Sequence, residues 1–324
     1  MIVGLIAIAL GGGAVIALAA WAGWAAIGAE LFVAGWVVAP ASLIMLVQLY
    51  LSAVAWRMSV GAARPKVGRY FRIRLIREAV NGMLPVAQLG GNLVGIRLLT
   101  QRGVPGPLAG AGTTLDVTIE VVTQFLFTAI GFAALASTDV GAGQAWVRWS
   151  LVIMAAIAVA FVLAQRAGLL RIVEALMRPL RLVVPGITME SVRGLHEELM
   201  RLHRDWRALL GAGTLHLAAW LLGVVETWLA LGAIGQAHGV VEAVVIESLG
   251  MAARSVGFAV PGALGIQEAG FVLASGLFGM PVDNAVTLSM IKRARELLIC
   301  TAGLVMWQWA EGRRVLTSRN FKSD

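Results

Sequence analysis

The chain has 324 residues, 59% of them hydrophobic and only 14% charged, with a mean hydropathy of +0.83. Soluble domains carry roughly 45–50% apolar and about 25% charged residues, so the composition excludes an ordinary soluble enzyme, a nucleic-acid-binding module and a disordered chain. The net charge of +8 informs only through where the charges sit, and the single cysteine, Cys300, excludes an intrachain disulfide or a cysteine-built zinc cage.

A helix that crosses a bilayer needs about 20 mostly apolar residues. Six stretches qualify: 3–27, 31–56, 108–136, 147–165, 209–234 and 283–310. The first lacks a basic leader and runs straight into the second, so it reads as a retained span, not a cleaved signal. The stretch 57–77 holds seven Lys/Arg residues and 166–207 holds eight, with Arg313, Arg314, Arg319 and Lys322 in the tail. The connections 28–30, 137–146 and 235–240 hold none. Positive charge gathers on the cytoplasmic side, which puts both termini in the cytoplasm. Within 166–207, leucines mix with Arg171, Arg178 and Arg181 around Pro179 and Pro185. That pattern fits an amphipathic segment on the inner leaflet, or a plain basic connector.

Two further apolar stretches are interrupted. In 78–102 the breakers are Pro85 and the Gly90-Gly91 pair. Its far end must return to the basic side for 108–136 to run outward, so it reads as a re-entrant hairpin bending at the glycines. In 241–279 the breakers are Pro261-Gly262 and Gly265, and both ends must lie outside. The two align without a gap at an offset of 176 residues: Pro85 on Pro261, Gly103 on Gly279, Pro105 on Pro281, Glu120 on Glu296. The same offset carries 31–56 onto 207–232. The expected fold is therefore an all-α polytopic membrane protein: one transmembrane domain, 1–324, of about six spans plus two oppositely oriented re-entrant hairpins. Its halves, about 31–136 and 207–310, form an inverted repeat around the connector 166–207. Such repeats with broken helices build secondary transporters.

Charges inside a bilayer cost about 2.5–3.5 kcal/mol each on insertion scales and mark cavities or pathways. Asp116 and Glu120 stack at i, i+4 in one span. At the matching positions of the last span stand Lys292 and Glu296, with Arg295 beside them and Arg293 on another face. The hairpins add Glu78, Asn81, Gln88, Asn92 and Arg97 on one side and Glu247, Arg254, Gln267 and Glu268 on the other. Glu226 and His216 add polarity to the fifth span. The offset sets Arg254 on Glu78 and Lys292 on Asp116, a charge exchange that would let the halves pair with each other. Arg254, Lys292, Arg293 and Arg295 together would suit a phosphate or carboxylate head group. Asp116, Glu120 and Glu296 could carry protons. The competing structural reading is that these residues only neutralise one another. No enzymatic motif, metal site or cofactor signature is found.

The runs EAVNGMLPVAQLGGNLVGIRLL, GMAARSVGFAVPGALGIQEAGFVL and SMIKRARELL resemble the transmembrane (flippase) region of the lysylphosphatidylglycerol synthase family, and more narrowly its stand-alone bacterial members linked to hopanoid biosynthesis. Asn81, Pro85, Gly90, Gly91, Arg97, Pro261, Gly262, Gly265, Gln267, Glu268, Arg293 and Glu296 match the family's motif positions. The resemblance implies a bacterial inner-membrane protein that moves a hopanoid or a polar phospholipid between leaflets, without the lysyl-transfer chemistry of members with a soluble domain. Membrane lipids are then the expected partners, with no nucleic acid; a homo-oligomer or a lipid-biosynthesis partner is left open. A head-group-modifying enzyme and a scaffold for lipid synthesis are the alternatives.

Overall fold

A computed structural model describes residues 32–61, 65–84, 90–141, 144–147, 189–236, 238–257 and 260–320, with a few isolated positions beside them. The expected span 3–27, most of 147–165, the breaker Pro85, the site residue Gln88 and the first part of the connector lie outside the described residues. Among those described, all regular structure is helical. A 3-10 turn, Gly35–Val37, leads into α1, Val38–Val60. There follow α2, Val67–Met83; α3, Gly90–Thr100; α4, Gly106–Ala136; and α5, Met189–Leu202. The second half holds α6, Trp206–Ala233; α7, Val240–Val256; a 3-10 turn, Pro261–Ala263; α8, Ile266–Gly276; and α9, Val282–Asn320.

Among the described residues, three stretches are long and apolar enough to cross a membrane: Phe32–Val60, Gly106–Ala136 and Trp206–Ala233. They cover the expected spans 31–56, 108–136 and 209–234. The expected span 283–310 falls inside one unbroken helix, α9, whose Asp283, Lys292, Arg293, Arg295 and Glu296 make it far less apolar than the others. Side-chain contacts give the relative directions. Gln48 Nε2 on α1 donates to the Ala219 carbonyl of α6 (2.9 Å), while Gly211 of α6 packs on Met58 further along α1, so the two helices run antiparallel. His216 pairs with Asp116 at 3.0 Å, and Trp220 Nε1 donates to Thr123 Oγ1 at 3.3 Å, so α6 and α4 run in the same direction. Lys292 meets Glu226, and Gln236 Nε2 donates to Asn284 Oδ1, so α9 opposes α6.

Each half has its own apolar core. Trp56, Tyr70, Ile73, Ile76, Leu98 and Leu99 pack between α1, α2 and α3. Leu231, Ile246, Phe271, Leu288 and Ile291, with Phe127 of α4, pack in the second half. Small residues let the halves approach: Gly131 of α4 lies against Ser248 of α7, and Gly303 of α9 lies against Leu75 and Ala79 of α2. Small residues at helix crossings are the usual means of close packing where lipid removes the hydrophobic drive between helices.

Both interrupted stretches fold as antiparallel pairs of helices, α2 with α3 and α7 with α8. The first pair starts earlier than the expected residue 78. The basic stretch 57–77 is not a loop: from Val67 it is helix, and only Lys66, Arg69 and Arg72 of its later cations stay exposed, while Arg74 and Arg77 are buried. The glycine pair is not the bend either. α2 ends at Met83, and Gly90 is already the first residue of α3. Gly91 lets α3 touch α2: its N–H donates to Asn81 Oδ1 at 2.8 Å, and a Cβ there would strike the Arg77 carbonyl. In the second pair, Gly250 faces the ring of Phe271 and Gly270 faces Ala253. Here the break does lie at the expected residues, with Gly262 at φ 60°, Ala263 at 50° and Gly265 at 79°. Left-handed backbone of this kind costs least at glycine.

The links from α3 to α4 and from α8 to α9 have the same backbone. Gly103 and Gly279 are left-handed, at φ 85° and 70°. Val104 N–H donates to the Leu99 carbonyl and Met280 N–H to that of Ser275, each at 3.3 Å. Pro105 and Pro281 then open the next helix, accepting from Ala109 and Ala285. These are equivalent positions at the 176-residue offset. The connector's described end, α5, is strongly amphipathic, but its apolar side covers protein instead of lipid: Leu195 seats on Gly110 of α4, and Leu202 on Gly61 after α1. Glu198 and Arg201 pair on its outer side at 2.7 Å.

Candidate functional site

Three ion networks lie among these helices. The first joins α2, α4 and α6. Arg74 grips Glu120 with both terminal nitrogens, at 2.6 and 3.2 Å. Arg77 donates to Asp116 Oδ2 at 2.7 Å and to Glu120 Oε2 at 3.3 Å, and its guanidinium lies 5.2 Å over the Trp56 ring. The other oxygen of Asp116 faces His216 Nε2. Asp116 is fully buried, whereas Glu120 keeps 25% of its side chain exposed. The i, i+4 stacking of the two carboxylates on α4 creates this geometry, since one arginine can then bridge both.

The second network sits where the two hairpins meet. The carbonyl of Gly82, near the end of α2, abuts Gly262 in the break of the second hairpin. Beside this contact Arg254 of α7 grips Glu296 of α9 at 2.7 and 3.0 Å and also donates to Gln267 Oε1. Arg293 of α9 donates to Glu268 at 2.6 and 3.0 Å, to Glu296 at 2.9 Å and to the Gly262 carbonyl at 2.9 Å. The other oxygen of Glu268 accepts from Gly265 N–H at 2.7 Å and so caps α8. Through Arg293 the loop conformation and the ion network are one unit. Arg254 is 18% exposed and Arg293 11%.

The third network is the most buried. Lys292 lies between Glu247 of α7 (2.8 Å) and Glu226 of α6 (3.3 Å), and Arg295 Nε approaches Glu226 to 2.6 Å. Thr227 Oγ1 donates to Glu247 at 2.6 Å. The far oxygen of Glu226 is buried with no hydrogen-bond partner.

The expected residues are thus divided. Asp116 and Glu120 go to the first network; Arg254, Gln267, Glu268, Arg293 and Glu296 to the second; Lys292 and Arg295 to the third. A single cationic cluster of Arg254, Lys292, Arg293 and Arg295 does not form. The helical turn sends 292 and 295 towards α6, and 293 and 296 towards the hairpin, and each cation meets a carboxylate. The exchange of charge between halves does not pair them either. Arg254 binds Glu296 of its own half and Lys292 binds Glu226 and Glu247 of its own half, while Asp116 pairs with His216 across the halves. Glu78, half-buried on α2, acts on both Arg74 and Arg254 electrostatically. Asn81 holds Gly91, as described. Asn92 keeps a buried Oδ1 with no hydrogen-bond partner, and Arg97 is exposed on α3. Arg74 and Arg77 were missed by sequence reasoning, which assigned them to a basic loop. The available signal was their i, i+3 spacing within the apolar face of Tyr70, Ile73, Ile76 and Val80.

With the geometry in hand, comparison with known proteins is informative in one respect. No curated protein and no solved structure matches the chain. The family model for the lysylphosphatidylglycerol synthase TM region matches residues 2–303. That interval contains both hairpins and all three networks. The chain is a membrane protein and belongs to the family of the lysylphosphatidylglycerol synthase TM region.

Proposed function

We propose that this protein moves a polar lipid between the leaflets of a bacterial inner membrane, with both termini cytoplasmic. The two halves are an inverted repeat in which each hairpin enters from a different face. The observation that carries this reading is the junction of the hairpins. The last turn of α2, at Gly82, touches the break of the second hairpin at Gly262, ringed by Arg254, Arg293, Glu268 and Glu296. Irregular backbone at membrane depth needs protein or water to satisfy it, and here a partly exposed ion network does so. The matching backbones at Gly103 and Gly279 and the opposed directions of the equivalent helices, α1 against α6 and α4 against α9, support the repeat. Family membership supports lipid as the substrate; a hopanoid or a phospholipid fits, with its tails left in the bilayer.

Because each cation of the junction already has a carboxylate, a head group enters by exchange. An anionic group takes the guanidinium of Arg254 or Arg293 while Glu296 moves to the other. Two hydrogen bonds are replaced by two of similar kind, so the barrier stays low. No chemical step on the lipid is proposed.

The test is lipid transfer in proteoliposomes with fluorescent phospholipid or hopanoid in one leaflet. Wild type is expected to equilibrate the leaflets, and an Arg293→Ala/Glu296→Ala double variant to lose at least tenfold in rate. Equal rates would remove the junction from the mechanism. A second reading, a scaffold held by its ion pairs, is favoured by the balance of charge in each network. It requires that transfer be absent in wild type.

A further inference from the structure

The first network holds a group that the transport reading leaves unused. His216 is 2% exposed, ten residues into α6 and so ~15 Å from the start of the helix at 1.5 Å per residue. Its Nε2 lies 3.0 Å from Asp116 Oδ1. A carboxylate only accepts, so Nε2 carries hydrogen and Nδ1 is the atom left to gain a proton. Histidine is the side chain whose ordinary pKa lies near neutrality. The charged groups around it are Asp116 and Glu120 from α4, with Arg77 and Arg74 reaching them from α2; also on α2, Glu78 acts on Arg74 and is shared with Arg254 of the second network, and the neutral Tyr70 faces Asp116. Gln48 is the polar neighbour along α1, occupied by the Ala219 carbonyl. Glu226 on α6 itself, Glu247 on α7 and Lys292 on α9 belong to the third network, about three turns further along α6.

With His216 neutral, two guanidinium groups face two carboxylates and the first network carries no net charge. Protonating Nδ1 leaves three cations for the same two carboxylates, nearly all of them buried. Asp116 is shared between His216 on one oxygen and Arg77 on the other, so the added charge draws Asp116 towards the imidazolium and loosens Arg77. An uncompensated buried charge is strongly unfavourable, and an anion beside Arg77 removes it. Glu120, a quarter exposed, is the open edge by which an anion reaches the site.

We infer that His216 is a proton-binding site that couples proton uptake to capture of an anionic lipid head group by Arg77. The inference rests on the transport reading and adds to it an energy source and a substrate charge. One proton enters with one anion, so the buried network stays neutral in both states. The second and third networks contain no histidine, which is why the coupling is assigned to the first.

The purified full chain in detergent, in weak buffer with a pH-indicator dye near pH 7, is titrated with short-chain phosphatidylglycerol. Wild type is expected to take up on the order of one proton per lipid bound, and to take up none with short-chain phosphatidylcholine. H216Q, which keeps a hydrogen-bond donor for Asp116 but cannot take a proton, is expected to show no proton uptake and weaker phosphatidylglycerol binding. In proteoliposomes, acidifying the side that holds labelled phosphatidylglycerol should speed wild-type transfer several-fold and leave H216Q unchanged. Phosphatidylglycerol binding by wild type without proton uptake overturns the inference whatever the variant does. Undiminished uptake by folded H216Q also overturns it, as does equal uptake with phosphatidylcholine. Transfer that proceeds in wild type but ignores the pH gradient removes the coupling and leaves the transport reading intact; absence of both binding and transfer removes both.

Discussion

Arginine decides the energetics of this protein at the scale of single residues. A guanidinium buried beside carboxylates recovers the cost of leaving water only when it is well hydrogen-bonded, most fully at Arg293, whose three nitrogens all donate. Removing one member of such a pair should therefore cost more than removing both. We expect Glu296→Gln to destabilise the protein by about 3–5 kcal/mol, read as loss of thermal stability in detergent. The Arg254→Met/Glu296→Met pair should keep nearly wild-type stability and still lose lipid transfer. Retained transfer in that double variant would make the pair structural. The carboxylate half of the first network could be read from the chain, because Asp116 and Glu120 are four apart in an otherwise apolar span. The arginine half could not. A run of cations reads as a solvated loop, and only contact with α4 makes burying Arg74 and Arg77 affordable.

For the elements, glycine sets how closely helices pair and where they break. Gly91 is a contact residue: a Cβ would fall on the Arg77 carbonyl and the Asn81 side chain. Gly91→Ala should cost about 1–3 kcal/mol as an overpacked contact. Gly103 at φ 85° points to open space, so Gly103→Ala should lose about 1 kcal/mol from backbone strain alone. The comparison of the two melting temperatures separates packing from strain. α5 tests another distinction. If its docking on Gly110 and Gly61 holds it, Leu195→Asp should release residues 189–204 to limited proteolysis while leaving the rest protected. The interruption of both hairpins was readable from Pro and Gly. Their register was not, because a Gly-Gly pair serves a bend and a close contact equally well and the partner strand of packing is remote in sequence.

Across the whole molecule, the orientation of the chain and the direction of its helices make one prediction. α4 and α6 run together while α1 and α9 oppose them, and the basic connector precedes α6. In a Cys300→Ala background, single cysteines at Ser137, past the end of α4, and at Arg201, on α5, should be labelled by an impermeant thiol reagent from opposite faces of the membrane. Labelling of both from one face would overturn the proposed topology and, with it, the inverted repeat.

Apolarity, the placement of three long spans and the presence of two interrupted segments followed from the sequence by itself. Each rests on local composition measured against a bilayer of known thickness, and no distant residue is needed to evaluate it. Which charge meets which was decided only by the tertiary structure. The same offset that aligned Arg254 with Glu78 and Lys292 with Asp116 suggested pairing between the halves, yet the pairs form mostly within each half. A side chain's partner depends on helix rotation and separation to within an ångström or two, and these are set by glycine contacts such as Gly131 on Ser248 and Gly303 on α2. The physical reason is one of range: hydropathy sums over a window of neighbouring residues, whereas an ion pair inside a membrane depends on two groups brought together from different helices.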